Sequence, residues 1–131
     1  MADFTIGRLS KATGVHIETI RYYEKIGLIP KTPRSDGGRR LYDGDAILRL
    51  RFIRRARDLG FALDDVRSLM GLATEPGSCV DAFEIAERHR LDVRSRIADL
   101  RRLERRLAEL TKACQIDGDL ECGLLDALSR N

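Results

Sequence analysis

Three cysteines are the residues of this sequence whose type and spacing best suit specific chemistry. They are Cys79, Cys114 and Cys122, and a thiolate is a soft donor that selects ions such as mercury(II), lead(II), cadmium(II) or zinc(II). An odd number of cysteines leaves one without a disulfide partner, so a disulfide framework does not explain all three. Cys114 and Cys122 also flank a loop rich in Asp and Gly rather than apolar residues. We interpret the three as metal ligands, the alternative for Cys114 being a small buried hydrophobe.

The positions of the cysteines matter because a long helix separates them. From Val80 to Ala113 the sequence has neither Pro nor Gly for 34 residues, which predicts one continuous helix. Cys79 and Cys114 then lie at its two ends, roughly 50 Å apart within one chain. If two such helices pair antiparallel, Cys79 of one chain meets Cys114 of the other, and Cys122 can turn back toward both. Parallel pairing would separate the thiols, so antiparallel pairing is favoured if the cysteines act together.

The long helix also carries the repeat of a coiled coil. Apolar residues and one cysteine recur every seven positions, with further apolar residues beside them. At about 51 Å the helix is too long for the preceding domain to cover its apolar side. We therefore predict a homodimer joined by an antiparallel coiled coil, and the alternative is a helix folded back on its own domain. The seam consists of Ala86, Val93, Leu100, Leu107 and Cys114, flanked by Ile97, Leu103 and Leu110.

Two short helices near the N-terminus have the pattern of a helix-turn-helix. Apolar spacing and glycine stops predict helices over residues 6–13 and 17–26, with a turn at Gly14 between them. The second helix of such a motif commonly enters the DNA major groove. Arginine can read guanine there, and hydroxyl or imidazole groups can contact phosphate. The candidate DNA contacts on or beside this helix are His16, Thr19, Arg21 and Tyr22.

A Gly-tipped stretch over residues 31–42 follows and is predicted to form a β wing. Two more helices are predicted over residues 44–59 and 63–72, before a linker that contains Pro76 and Gly77. The fold class is therefore all-α with a small β wing: a winged helix-turn-helix DNA-binding domain, then a long dimerisation helix. The predicted divisions are residues 1–75, 76–113 and 114–131, the last being a metal-binding loop and a short C-terminal helix. The wing residues expected to contact the DNA backbone are Arg39, Arg40 and Tyr42.

Charge supports a nucleic-acid partner for the N-terminal part of the chain. Residues 1–75 contain 14 Lys and Arg against 10 Asp and Glu, whereas residues 76–131 contain 10 against 11. Between Arg34 and Arg57, eight arginines face three aspartates. Such an excess suits a polyanion, and the alternative is a solvated, ion-paired surface.

Several classes of protein are disfavoured by the sequence. No stretch approaches the roughly 18 to 20 apolar residues of a membrane span, and no secretory signal opens the chain, so we expect a cytoplasmic protein without membrane contact. No nucleophile and base stand in a catalytic arrangement, and there is no Gly-rich phosphate loop. We do not expect an enzyme.

Four segments of the chain have a characteristic sequence: Thr5–Ser10, Thr19–Ile29, Arg39–Tyr42 and Phe52–Phe61. Together they closely resemble the mercury-resistance regulator (MerR) family. The resemblance implies a winged-helix DNA-binding domain, an antiparallel coiled-coil dimer, and activation of a metal-resistance or efflux promoter, with RNA polymerase, by distortion of the DNA. It adds Arg54 or Arg55, on the third helix, to the expected DNA contacts.

The same resemblance implies a metal inducer at the subunit interface. Cys114 and Cys122 fall where the family's metal-binding loop is expected, and a cysteine at position 79 is similar to sensors of divalent thiophilic ions. Mercury(II) is slightly preferred over lead(II), cadmium(II) or zinc(II). Two alternatives stay open: a sensor of monovalent copper, silver or gold that uses Cys114 and Cys122 only, and a thiol-based redox regulator. The loop's possible oxygen donors are Asp117, Asp119 and Glu121.

Overall fold

The computed structural model describes residues 4–31, 41–116 and 122–130, without the side chains of residues 113–116. Every helix predicted from the sequence is present within them, with ends that differ from the predicted ones by at most three residues. The chain divides into two compact units, Met1–Ile85 and Ala86–Asn131. The helices of the described residues are α1 (Ile6–Thr13), α2 (Ile17–Lys25), α3 (Gly44–Asp58), α4 (Leu63–Leu72), α5 (Cys79–Ile116) and α6 (Gly123–Ser129).

The ends of the first helices follow from local side-chain chemistry. Thr5 precedes α1, and its hydroxyl accepts a hydrogen bond from the backbone N–H of Arg8 at 3.3 Å. Asp43 does the same for α3 by accepting from the N–H of Ala46 at 3.2 Å. Both contacts satisfy N–H groups that have no partner within the helix. Thr and Asp are among the residue types that prefer this position.

The first unit is built around one apolar core. Helix α1 packs against α2 and α3, and α3 packs against α4. Ile85, in the second turn of α5, is half-buried and also packs against this core, so the first turns of α5 belong to this unit. The buried apolar residues are Leu9, Val15, Ile20, Tyr23, Leu28, Ile29, Tyr42, Ala46, Leu50, Ile53, Ala56, Phe61 and Val66.

Only the two ends of the predicted β wing fall within the described residues. Its residues 32–40, which include Arg39 and Arg40, lie outside the described residues. In the described part, the only β pairing is an isolated antiparallel bridge between Phe4 and Tyr42. The N–H of Phe4 donates to the carbonyl of Tyr42 at 2.6 Å, and the N–H of Tyr42 donates to the carbonyl of Phe4 at 2.8 Å. This bridge ties the start of the chain to the residue before the cap of α3.

The second unit has a different character. It consists of α5 from Ala86 onward and the short helix α6. None of its described side chains is buried. Among the described helices of the whole chain, none combines the length and apolar character that crossing a membrane requires.

Candidate nucleic-acid interface and metal ligands

The turn between α1 and α2 is fixed by several short hydrogen bonds. Gly14 ends α1 with a φ of 73°, a left-handed conformation that favours glycine. The hydroxyl of Ser10 donates to the carbonyl of Val15 at 2.6 Å. The hydroxyl of Thr13 donates to the carbonyl of Leu9 at 2.8 Å and accepts from the N–H of Val15 at 3.3 Å. These contacts hold the angle between the two helices.

Helix α2 has one buried and one exposed face. Ile20, Tyr23 and Glu24 point into the core. Arg21 is exposed and has no hydrogen-bond or ion-pair partner among the described residues, and Tyr22 is 49% exposed. Their guanidinium and phenol groups are therefore available to a ligand in solvent. The exposed face that they share, together with Glu18 and Lys25, is called the outer face of α2 below.

His16 and Thr19 occupy another side of this helix. His16 precedes α2 and makes no side-chain cap hydrogen bond, and Thr19 is half-buried. At 100° per residue their side lies about 140° around the helix from the outer face. Both line an open cavity of about 170 Å³ between the turn and α3. The structure thus brings His16 and Thr19 together with Arg54, which also lines this cavity, and away from Arg21 and Tyr22.

Tyr42 corrects one expectation of the sequence. It is fully buried, and its hydroxyl donates to the Glu24 carboxylate in the core. A side chain without solvent exposure cannot reach a DNA phosphate, so the predicted role of Tyr42 as a backbone contact is wrong. Its role is structural, because it joins α2 to the segment that leads into α3.

The two arginines of α3 differ in their surroundings. Arg54 donates from Nη1 to the carbonyl of Thr13 at 2.7 Å, which fastens α3 to the helix-turn-helix turn. Arg55 is exposed and has no described partner. Arg55 is thus the one of the pair whose guanidinium is uncommitted within the protein.

Arg67 and Lys25 are residues that the sequence interpretation missed. Arg67, on α4, donates to the carbonyls of Ile26 and Gly27 at 2.8 and 3.2 Å, just beyond the end of α2. No local pattern indicates a contact across 40 residues. Lys25 lies on the outer face of α2. Its position four residues after Arg21 indicates in the sequence that the two share a helix face.

The candidate metal ligands lie at the ends of helices. Cys79 is the first residue of α5 and is exposed. The backbone of Cys114 belongs to the last turn of α5, and its side chain lies outside the described residues. Cys122 precedes α6 and is half-buried. Within the described part of one chain, no three His, Cys, Asp or Glu side chains form a group that would hold a metal ion. The possible oxygen donors at positions 117, 119 and 121 lie outside the described residues.

An apolar stripe runs along the exposed part of α5. Leu100 is 63% exposed, and its neighbours along the seven-residue repeat are exposed as well. Exposed leucines at this spacing are typical of a helix that packs against another helix. The exposed apolar residues of this stripe, called the α5 stripe below, are Leu91, Val93, Ile97, Leu100, Leu103 and Leu107.

Ion pairs between successive turns accompany the stripe. Arg90 contacts Glu87 at 2.6 Å and Arg96 contacts Asp92 at 3.3 Å. The hydrogen bond from Arg90 lowers the pKa of the Glu87 carboxyl, and the same contact raises the pKa of Arg90. Arg90 is exposed and the Glu87 side chain is 34% exposed, so these pairs favour helix geometry only slightly.

A glycine-fixed turn that presents a solvent-facing Arg and Tyr on its second helix defines a helix-turn-helix DNA-binding protein. Residues 4–72 match the MerR HTH family of regulatory proteins, and residues 47–110 match the family described as MerR, DNA binding. The chain therefore belongs to the MerR family of transcription regulators, which are not enzymes. The resemblance noted in the sequence is confirmed.

Known proteins resemble the chain along almost its full length. The mercuric resistance operon regulatory protein of Bacillus cereus is 37% identical over 129 residues, covering 97% of this chain and 98% of that protein. PbrR691 of Ralstonia metallidurans CH34, solved in complex with lead(II), aligns with a TM-score of 0.82 at 38% identity, covering 96% of this chain and 99% of that one. MerR of Bacillus megaterium MB1, solved with mercury(II), aligns with a TM-score of 0.76 at 31% identity, covering 97% and 100%.

Proposed function

We propose that this protein is a cytoplasmic activator of a metal-resistance or efflux promoter, induced by a thiophilic divalent ion. The observation that carries the proposal is the exposed thiol of Cys79 at the start of α5, a helix whose last turn contains Cys114. Relatives similar over nearly the whole chain are named for mercuric resistance or were solved with lead(II) or mercury(II). Three thiolates suit these ions, and mercury(II) is slightly preferred.

The proposed assembly is a homodimer formed by antiparallel pairing of α5. The α5 stripe supports it, because exposed leucines at heptad spacing gain most from burial against a second copy of the same helix. In this arrangement Cys79 of one subunit joins Cys114 and Cys122 of the other. The ion would then hold two subunits together at each end of the pair.

The proposed DNA contacts follow from exposure. Arg21 and Tyr22 on the outer face of α2 meet the major groove, and Arg55 meets the phosphate backbone. His16 and Thr19 contact the backbone at the start of α2, where Arg54 lies in the same cavity. Arg39 and Arg40 are proposed as backbone contacts of the wing. RNA polymerase is the proposed partner at the promoter, which the metal-bound dimer distorts.

The shared site is tested with a heterodimer of two variants. One chain carries Cys79→Ser and the other Cys114→Ser with Cys122→Ser, each with its own affinity tag. Antiparallel sharing leaves one complete three-thiolate site per heterodimer and none in either parent homodimer. Titration with lead(II), cadmium(II), zinc(II) and mercury(II) is followed by thiolate-to-metal charge-transfer absorbance, which no tryptophan obscures because the chain has none. We expect one high-affinity ion per heterodimer.

Three results would contradict this proposal. A heterodimer that binds no better than its parents would show that the cysteines are not shared. Retention of full affinity and activation by silver(I) in the Cys79→Ser homodimer would instead favour the monovalent sensor, which needs only Cys114 and Cys122. A response to oxidant with none to metal would favour the redox regulator.

The DNA part of the proposal is tested separately with Arg21→Ala. Loss of a bidentate base contact should weaken operator binding by about 1 to 3 kcal/mol and relax specificity at one base pair. Gel-shift titration against the operator and against sequence variants measures both effects. Cys114→Ser is the matched control and should leave operator affinity nearly unchanged, because its position lies in the other unit. An unchanged operator preference in Arg21→Ala would remove Arg21 from the contacts.

A further inference from the structure

Arg67 makes an unusual pair of contacts for a residue on α4. Its Nη2 donates to the carbonyl of Ile26 at 2.8 Å and its Nη1 to the carbonyl of Gly27 at 3.2 Å. The carbonyls at the end of a helix lack partners within it and carry partial negative charge. The Arg67 guanidinium therefore donates hydrogen bonds to two carbonyls at the end of α2, the recognition helix. It also places a positive charge beside them.

The C-terminal end of α4 is bonded to the residue beside the candidate metal ligand. The Ser78 hydroxyl lies 2.6 Å from the carbonyl of Leu72, the last residue of α4, and 2.7 Å from the carbonyl of Glu75. Its single proton serves these two acceptors. Ser78 directly precedes Cys79, and its own carbonyl accepts from the N–H of Ala82 in the first turn of α5. Helix α4 is thus fastened to the recognition helix through Arg67 and to the Cys79 turn through Ser78.

Packing makes α4 suited to move as one body. Val66, the neighbour of Arg67, is fully buried against the core, and the helix has only ten residues. A short helix held at its middle, at its C-terminal end and on one side shifts by tilting or sliding rather than by bending. A displacement at Leu72 therefore reaches Arg67, and through it Ile26 and Gly27.

We propose that Arg67 is a positioning residue that couples the state of Cys79 to the placement of the recognition helix. The proposal rests on the proposed metal-dependent function. Ion binding at Cys79 alters the Ser78 contacts, α4 shifts, and the Arg67 guanidinium carries the shift to the end of α2. The outer face of α2 then changes its angle to the DNA. Arg67 contacts neither ion nor DNA in this scheme, so its loss should affect the response and spare both affinities.

The test uses the full-length dimer with three variants. Arg67→Met keeps an unbranched side chain of similar length and removes its donors. Arg67→Lys keeps the positive charge but lacks the two guanidinium nitrogens that donate in parallel. Arg57→Met is the matched control, because Arg57 donates to the carbonyl of Phe61 at 2.7 Å just beyond α3 and so makes the same kind of contact at a different helix. Mercury(II) chloride and lead(II) nitrate are the probes. The readouts are ion affinity, operator affinity without metal, and the metal-induced fluorescence change of 2-aminopurine in the promoter spacer.

We expect Arg67→Met to bind the ion and the operator within about threefold of wild type, while the metal-induced fluorescence change falls about tenfold, the size of a typical coupling between sites. Arg67→Lys should be intermediate and Arg57→Met close to wild type. A full fluorescence response in Arg67→Met overturns the coupling. A response that falls only in proportion to operator affinity or thermal stability also overturns it, because that result describes a structural residue.

A metal-free readout separates this inference from the proposed function. The N–H groups of Leu28 and Ile29 donate to the carbonyl of Tyr23 at 2.9 and 3.3 Å, next to the carbonyls that Arg67 holds. Their hydrogen exchange should accelerate in Arg67→Met and not in Arg57→Met. Unchanged exchange overturns the positioning role whatever the metal does. A wild-type dimer that responds to none of the four divalent ions overturns the proposed function and the coupling to Cys79, while the exchange rates still decide whether Arg67 positions α2.

Discussion

The two units of this chain are stabilised in different ways. In the unit that contains the helix-turn-helix, side chains far apart in sequence bury one another, as Tyr42 and Glu24 do. In the unit that contains most of α5, no described side chain is buried, and the side-chain ion pairs described above join residues three or four apart. Burial of apolar area dominates folding stability, whereas exposed ion pairs add little. The first unit therefore contains the contacts for its own stability, whereas the described side chains of the second unit form no buried core.

The largest effect is expected from a charge in the α5 stripe, which should weaken the proposed dimer. Leu100→Asp removes one leucine per chain from the proposed seam and adds a carboxylate there. Leucine truncation in a packed site costs about 2 to 5 kcal/mol, so two sites per dimer should raise the dissociation constant at least a thousandfold, or about 4 kcal/mol. Analytical ultracentrifugation measures this change.

Ser95→Asp is the control for that variant. Ser95 is exposed on the same helix and lies off the seam, so it introduces the same charge without removing a leucine. It should leave the dimer intact. Equal effects of the two variants, or a Leu100→Asp protein that stays dimeric at low concentration, would show that the stripe is not the dimer contact.

A smaller effect is expected from Gly14→Ala in the first unit. A Cβ at Gly14 would lie 1.9 Å from Nη1 of Arg54, and the backbone has a φ of 73°. The variant must strain the left-handed turn and displace the Arg54 hydrogen bond to Thr13, which together cost about 2 to 4 kcal/mol. Urea denaturation measures the free energy of unfolding.

Gly44→Ala provides the matched substitution. A Cβ there meets no atom within 4 Å, and the residue begins α3. Replacing glycine by alanine at such a helical position is neutral or slightly stabilising. If the two alanine variants changed stability equally, the Arg54 contact would have no part in holding the turn.

The smallest effect concerns the ion pairs of α5. The hydrogen bond from Arg90 lowers the pKa of Glu87 in the folded protein below its ordinary value of 4.5. A lowered folded pKa contributes stability that is present above pH 4.5 and is lost as the pH falls through the folded pKa. Glu87→Gln should therefore lower the thermal midpoint slightly at pH 7 and have no effect in strong acid. Scanning calorimetry between pH 7 and pH 3 follows the difference.

The control for the pH dependence is Glu104→Gln, which removes the same charge from α5. Glu104 is exposed, and the described residues provide it with no ion-pair partner. The difference in thermal midpoint between this variant and wild type should not shrink as the pH falls. Identical profiles for the two glutamine variants would mean that general helix charge, rather than the Arg90 contact, sets the pH dependence.

Most helix boundaries could be predicted because their causes are local. Thr5, Asp43 and Gly14 act within four residues of themselves, and the absence of Pro and Gly marks α5 directly. Tyr42 was misassigned because its burial depends on Phe4 and Glu24, which are distant in sequence. Arg67 was missed for the same reason. The metal-ligand role of the three cysteines stays a prediction from their type and spacing, because three thiolates meet only if a second chain contributes one of them.

The contacts of the recognition helix also set an order in which a growing chain can complete it. Every long-range partner described for α1 and α2 is synthesised later: Tyr42 for Glu24, Arg54 for Thr13 and Arg67 for Gly27. At about 5 to 20 residues per second, the 40 residues between Gly27 and Arg67 take roughly 2 to 8 seconds to make. During that interval the proposed recognition helix lacks the groups that hold it, so a nascent chain must extend at least to Arg67 before its helix-turn-helix is complete.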